Sequence, residues 1–181
     1  DGKLKAEHRD PQGLNLTTEY FYTNGYPTKK VIDPAGLAVS YETEFNAIGQ
    51  PTKIFDPRFS NKNVFTAYVY NDHGNQIEII YPNVTITKLD YDLNDNIIRR
   101  TNDYGGLNLI TENIYNELDW LIQTTIDPEG LAITTRQEHD SEGRVIKTID
   151  AEGGITELEY YDNGWLKSSK RQLTDTLYAI T

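Results

Sequence analysis

The sequence predicts an all-β fold: tandem antiparallel β-hairpins that join into an extended, twisted, curving sheet. Three observations carry this expectation. A turn signal recurs every 21 to 25 residues along the 181-residue chain. Between the turns, apolar and polar side chains alternate with period two, as a half-buried strand requires. An aromatic residue stands three or four positions before each later turn, which puts the repeats in a common register.

The elements follow in order from the turn anchors Gly2, Gly25, Gly49, Gly74, Asp95, Asp119, Gly143 and Gly164. Aspartate in a glycine column is a mild replacement, because Asp tolerates positive φ better than most residues. The aromatic column reads Tyr22, Phe45, Tyr70, Tyr91, Tyr115, His139 and Tyr161. Where the offset is three, the turns are Asn24-Gly25 and Asn163-Gly164, and Asn-Gly predicts a two-residue type I′ hairpin. Where it is four, as in "YNDHG" at 70–74 and "HDSEG" at 139–143, a type I turn closed by a left-handed residue is expected. Before the turns, Leu14, Leu16, Thr18, Tyr20 and Tyr22 fall on one strand face, and so do Leu37, Val39, Tyr41, Thr43 and Phe45. After the turns the second residue is apolar or proline: Leu4, Pro27, Pro51, Ile97, Leu121, Val145 and Leu166.

A second punctuation closes each unit. It reads "DPQGL" at 10–14, "DPAGLA" at 33–38, "DPEGLA" at 127–132 and "DAEGG" at 150–154, with degenerate forms "DPRFSNKN", "YPNV" and "NDYGGL". Proline presets φ, and the glycine is expected to take the left-handed position. Each unit is thus strand, turn, strand, turn, with strands of about eight residues, roughly 26 Å. No linker or domain boundary interrupts the series, so residues 1–181 read as a single repeat region. The chain opens on an Asp-Gly turn and closes on "LTDTLYAIT", which reads as both ends being cut mid-repeat. The absence of methionine, even at position 1, fits a processed product or a fragment.

Composition narrows the function classes. A net charge of −11 and a pI near 4.6 repel a phosphate backbone, so nucleic acid is a poor partner. Without cysteine there is no thiol catalysis, no disulfide and no cysteine-ligated zinc. No apolar run approaches the length that crosses a membrane as a helix, so no membrane insertion is expected of this segment.

The registered motifs, nearest in "YDLNDNI" at 91–97, "YDNGWL" at 161–166 and "HDSEGRV" at 139–145, resemble the YD repeats of Rhs proteins. Similar repeats occur in the C component of Tc insecticidal toxins and in teneurins, and the resemblance spans the whole chain. It implies a spiralling β-sheet that forms part of a hollow shell wall, a β-cocoon around a cargo. The implied partners are other repeats of the same shell, an enclosed toxin polypeptide, and secretion-apparatus or Tc-complex proteins. The implied location is secreted or at the bacterial cell surface, by type VI secretion or as part of a Tc complex. The implied role is a container rather than an enzyme, with no catalytic residue, cofactor or metal. In the family, an Asp-Pro-x-Gly-Leu string also belongs to a self-cleaving core terminus. Here "DPAGL" and "DPEGL" sit in phase with ordinary repeats and read as structural.

The candidate chemistry is thin. His139 occupies the aromatic column, His73 a turn position filled elsewhere by Ile48 and Glu142, and His8 a strand near the start. None has the paired spacing of a zinc site. "DLNDN" at 92–96 with Asp103 imitates a calcium loop but has Ile97 where that loop needs glycine. Asn15 and Asn83 begin formal glycosylation sequons. The column aromatics could instead be sugar-stacking platforms, which leaves a surface adhesion or carbohydrate-binding module as the alternative function. A glycoside hydrolase on a β-propeller needs more blades than these units supply.

Overall fold

The computed structural model describes residues 2–9, 13, 16–59, 62–173 and 177–180. Among them there is no helix. The chain divides into two compact units, Asp1–Ile86 and Thr87–Thr181. The first holds β1 (Ala6–Arg9), β2 (Leu16–Thr23), β3 (Tyr26–Ile32), β4 (Val39–Phe45), β5 (Pro51–Phe55), β6 (Phe65–Tyr70) and β7 (Gln76–Ile80). The second holds β9 (Ile97–Asn102), β10 (Leu109–Tyr115), β11 (Leu121–Ile126), β12 (Ile133–His139), β13 (Val145–Ile149), β14 (Ile155–Tyr160), β15 (Leu166–Leu173) and β16 (Leu177–Ile180). The division falls within β8 (Ile86–Tyr91), nearly all of which belongs to the second unit.

Within each unit every strand pairs antiparallel with its neighbours in sequence, and the sheet is open. This is the expected meander of hairpins. The strands run from four to eight residues, and only β2 and β15 reach the expected eight. The loops take the difference. Leu37, expected on the face of β4, lies in the preceding loop and is 86% exposed. All of "DPQGL" but Gly13, together with Asn15 and residues 174–176 and 181 of "LTDTLYAIT", lie outside the described residues.

Burial is shallow, because no second layer covers either sheet face among the described residues. Val31 is the buried hydrophobic residue of the first unit, and Leu89 and Ile110 those of the second. The ideal alternation of a half-buried strand is therefore blurred, and β7 and β13 are half-buried at every position. Stability comes instead from cross-strand pairs. Opposite the aromatic face, directly facing residues form ion pairs: Lys29 with Glu42 at 3.4 Å, Lys53 with Glu44 at 3.1 Å, Arg99 with Glu112 at 3.1 Å and Lys147 with Glu138 at 2.8 Å. At such exposure each contributes little, about 0–1 kcal/mol, but unlike charges in register disfavour a slipped pairing.

Candidate functional site

The tyrosine-side turns form the most regular constellation in the molecule. Five of them share one hydrogen-bond plan: Asn46–Gln50, Asn71–Asn75, Asp92–Asn96, Asn116–Trp120 and Asp140–Arg144. The first residue's N–H donates to the carbonyl of the fifth, and the fourth residue's N–H donates back to the first. That fourth residue has positive φ: Gly49, Gly74, Asp95, Asp119 and Gly143. The first residue's Oδ1 also accepts two amides. Asn71 takes those of His73 at 3.1 Å and Asn75 at 2.8 Å, and Asp92 takes those of Asn94 and Asn96, both at 2.9 Å. An Asx residue directly after the aromatic thus holds the turn shut in these five hairpins. The Asn96 amide, aided by Asn94, holds the Asp92 carboxyl below the usual carboxylate range. At Asp140 partial burial pushes the other way, but Arg144 and two amides win and the carboxyl is lowered.

Of the two Asn-Gly turns, one forms as expected and one departs from the expected assignment. Asn24-Gly25 forms the two-residue hairpin, with φ of 50° and 91°. Asn163-Gly164 does not: Tyr161 N–H donates to Trp165 O, and Gly164 N–H donates to Tyr161 O. Tyr161 therefore occupies the Asx position, 53% exposed. The column aromatic of this hairpin is Tyr160, paired with Leu166 as Tyr115 is with Leu121. The cause is a choice between adjacent tyrosines that only the ladder register resolves.

The aromatics mark a second regularity. In each of these hairpins the returning strand carries one extra residue: Thr28, Thr52, Ile77, Ile98, Ile122, Ile146 or Lys167. Such a bulge bends the strand locally. The tyrosine hydroxyls reach the preceding hairpin. Tyr22 donates to Leu4 O at 3.0 Å, Tyr70 to Pro51 O at 2.8 Å, Tyr115 to Ile97 O at 3.2 Å and Tyr160 to Val145 O at 2.9 Å. The acceptor is each time the second residue after a turn, the position whose apolar bias the sequence displays. Burial pushes the Tyr70 and Tyr91 phenols above the ordinary tyrosine value. His139 holds the same column, but its Nδ1 is buried without a hydrogen-bond partner among the described residues.

Sequence reasoning missed a further column, the residue just after each anchor. It lies over the next hairpin's aromatic and anchor. Lys3 stands 5.4 Å from the Tyr22 ring, Tyr26 stacks on Phe45 at 5.5 Å, Trp120 meets His139 at 5.6 Å, and Arg144 stands 5.0 Å from the Tyr160 ring. Gln50 Nε2 donates to Gly74 O at 2.7 Å, and Asn96 Nδ2 to Asp119 Oδ1 at 2.7 Å. This explains where glycine is obligatory. A Cβ on Gly49 would stand 2.3 Å from the Tyr26 ring, and one on Gly143 3.0 Å from the Trp120 ring. Over Asp119 the cover is the smaller Asn96, which uses the carboxylate as an acceptor. The column escaped notice because its members share no residue type; the paired tryptophans Trp120 and Trp165 were the available signal.

The second punctuation resolves into two loop types. At 33–38, 103–108 and 127–132 the Asp carbonyl accepts the fourth and sixth amides, and its Oδ2 accepts the fifth, from Leu37, Leu107 and Leu131 at 3.0, 2.9 and 2.8 Å. The glycine was expected to supply the left-handed residue. At 33–38 and 127–132 Asp33 and Asp127 do so instead, at φ near 52°, with Ala38 and Ala132 closing the loops, and at 103–108 Asp103 and Asn108 do so beside a left-handed Gly105 at φ 82°. Glycine is needed for space: a Cβ on Gly36 would lie 2.1 Å from the Asp33 carboxylate, and one on Gly130 2.4 Å from that of Asp127. The loops 81–85 and 150–154 instead follow the tyrosine-side plan. Val84 takes the left-handed position in the first, at φ 61°, and Gly153 takes it in the second, at φ 84°, as the sequence predicts.

The remaining candidates fall apart chemically. The calcium-like string is split between two loops: Asp92 caps one turn, while Asp103 caps another beyond β9. His8 Nδ1 shares a hydrogen bond with Thr17 Oγ1 at 3.1 Å. The Asn83 Oδ1 accepts the Thr85 hydroxyl at 2.8 Å. Gly2 has positive φ and open space above its α-carbon. The constellation at the turns is a packing device: the Asx side chains close their own turns, the tyrosine hydroxyls reach the preceding hairpin, and Gln50 and Asn96 reach the next.

No protein-family model and no curated protein matches this chain. Solved structures do. A crystal structure of TcdB2-TccC3-Cdc42 superposes with a TM-score of 0.56 at 12% identity, covering 96% of this chain and 11% of that one. A TcdB2-TccC3 structure without its hypervariable C-terminal region gives 0.56 at 11% identity over the same shares. A Photorhabdus luminescens Tc holotoxin pore gives 0.53 at 15% identity, again over 96% of this chain and 11% of that one. At such identity the likeness is one of fold.

Proposed function

We infer that this chain is a stretch of wall in an Rhs-type shell, which encloses a toxin polypeptide and keeps it from acting until delivery. The observation that carries the reading is the chain-order meander of hairpins within each unit, in a chain that matches Tc toxin structures over 96% of its length. The turn chemistry supports it, because each hairpin is held by its neighbour and the polar groups at the turns are engaged in that packing. The role is a container's, not a catalyst's. A Tc-complex-like assembly with further repeats is the expected setting, in a secreted or surface-exposed bacterial protein. The column tyrosines favour this over sugar stacking: Tyr22, Tyr70, Tyr115 and Tyr160 give their hydroxyls to backbone carbonyls.

Electron microscopy of the intact natural polypeptide, combined with limited proteolysis, tests the reading. The expected result is a hollow particle whose enclosed segment resists protease until the wall is opened. Radial blades around a channel, or an enclosed segment digested as fast as free peptide, would refute it.

A further inference from the structure

We propose that Asn24 is a self-modification site: attack by the Gly25 backbone nitrogen, promoted by Lys3, converts its side-chain amide to a carboxylate. The identical dipeptide Asn163-Gly164 is protected by its own turn. The inference stands on the geometry of each turn and does not depend on the shell reading.

The chemistry is intramolecular. The Gly25 nitrogen bonds to Asn24 Cγ, the Cγ–Nδ2 bond breaks, and ammonia leaves with the proton that the backbone nitrogen gives up. Water then opens the cyclic imide. Opening at Cγ gives aspartate, and opening at the main-chain carbonyl gives isoaspartate, whose backbone runs on through Cγ. Water is consumed, ammonia is released, and nothing is oxidised or reduced.

The step needs a nitrogen with no Cβ beside it, an amide free to turn, and stabilisation of the charge that develops. Asn24-Gly25 supplies all of these. Both residues are exposed, and neither the Asn24 side chain nor the Gly25 N–H has a hydrogen-bond partner among the described residues. Lys3 Nζ stands 3.5 Å from the place a Cβ would take on Gly25. Its charge there favours the oxyanion at Cγ and the carboxylate that results. At 163–164 the dipeptide is tied down. Gly164 N–H donates to Tyr161 O at 2.8 Å, and Asn163 Oδ1 accepts the Trp165 N–H at 3.1 Å. No atom of the described residues lies within 4 Å of the place a Cβ would take on Gly164. The turn asparagines Asn46, Asn71 and Asn116 are followed by Ala47, Asp72 and Glu117, whose side chains shield the nitrogen, and each Oδ1 holds two amides. Isoaspartate at Asn24 lengthens a tight turn closed by Thr23 opposite Tyr26, beside Tyr22, whose hydroxyl reaches Leu4 O. Conversion therefore loosens the end of the β2–β3 hairpin and its hold on the residues before it.

The test incubates the folded chain at mildly alkaline pH and follows both sites by peptide mapping with mass spectrometry and by isoaspartyl methyltransferase labelling. Asn24 should convert about tenfold faster than Asn163, whose turn must break two hydrogen bonds to react. In urea the two rates should meet. Lys3→Gln should slow Asn24 severalfold in the folded chain and leave Asn163 unchanged. Equal rates in the folded chain, an Asn24 that stays intact there, or an Asn24 rate unaffected by Lys3→Gln would overturn the proposal. So would a gap that persists in urea, since the flanking sequence rather than the turn would then set the rates.

Discussion

Replacing Gly25, Gly74 and Gly49 each by alanine separates backbone strain from crowding in one unit of the protein. All three have φ between 86° and 91°, so each alanine incurs a similar left-handed penalty of about 1–2 kcal/mol. Above the three α-carbons the surroundings differ. The nearest atom to a new Cβ is Lys3 Nζ at 3.5 Å for Gly25, Gln50 Nε2 at 3.1 Å for Gly74, and the Tyr26 ring at 2.3 Å for Gly49. The lysine swings away freely. Displacing the glutamine weakens its 2.7 Å bond to Gly74 O, adding about 0.5–1.5 kcal/mol. The tyrosine ring cannot shift without leaving Phe45, so Gly49→Ala adds about 1–3 kcal/mol of overpacking and part of a ring pair. Urea unfolding followed by circular dichroism should rank the losses Gly25→Ala, Gly74→Ala, Gly49→Ala, with about 1–3 kcal/mol between the first and last. Tyr26→Ala should make Gly49→Ala cheaper than in the parent, a coupling that a double-mutant cycle measures. Equal losses at all three sites, or a coupling of zero, would refute the ring-over-glycine argument.

Val84 is β-branched and sits at φ 61°, so Val84→Gly should stabilise the fold by about 0.5–2 kcal/mol, strain relief exceeding the added chain entropy; a lower melting temperature would contradict this. His139→Tyr should gain about 0.5–1.5 kcal/mol by restoring the hydroxyl-to-carbonyl bond that Tyr115 makes, and no gain would mean that the phenol cannot reach. Tyr160→Phe should lose about 0.5–1.5 kcal/mol in urea melts while Tyr161→Phe loses almost nothing; the reverse order would restore Tyr161 to the aromatic column. Asp92 and Asp140 have carboxyls lowered in the fold, so their contribution is present above the unfolded value near 4 and fades as pH falls through the folded values. Asn serves the same turn position at Asn46, Asn71 and Asn116, so Asp92→Asn with Asp140→Asn should keep the fold at neutral pH and flatten the stability loss between about pH 5 and 2; an unchanged acid profile would count against the linkage.

The hairpin series was legible because it rests on local chemistry. Asn24-Gly25 names its turn type, and period-two alternation names the strand. The errors arose where one string fits two geometries. Asp-Pro-x-Gly suits a left-handed glycine, but in the fold Asp33 and Asp127 bend the chain and the glycine makes room for their carboxylates. Tyr160 and Tyr161 are equivalent until pairing with Leu166 chooses between them. The cover residues Lys3, Tyr26, Gln50, Asn96, Trp120 and Arg144 stayed hidden because their role lies in the shape they present to a neighbour some twenty residues onward, and charge, amide and ring all meet that need.

The interlock of each cover residue with the next anchor sets where this polypeptide can be cut and rejoined. A segment that starts just after one anchor and ends on the next, such as 26–49, 96–119 or 120–143, carries both halves of one match. Tandem duplication or loss of such a segment leaves every other match intact. Recombination at the second loop, which looks like the more natural seam, separates halves and can set an indole over an aspartate. The heritable module is therefore offset from the visible hairpin, and gene rearrangements that lengthen or shorten such an array should break between the left-handed residue and the side chain that follows it.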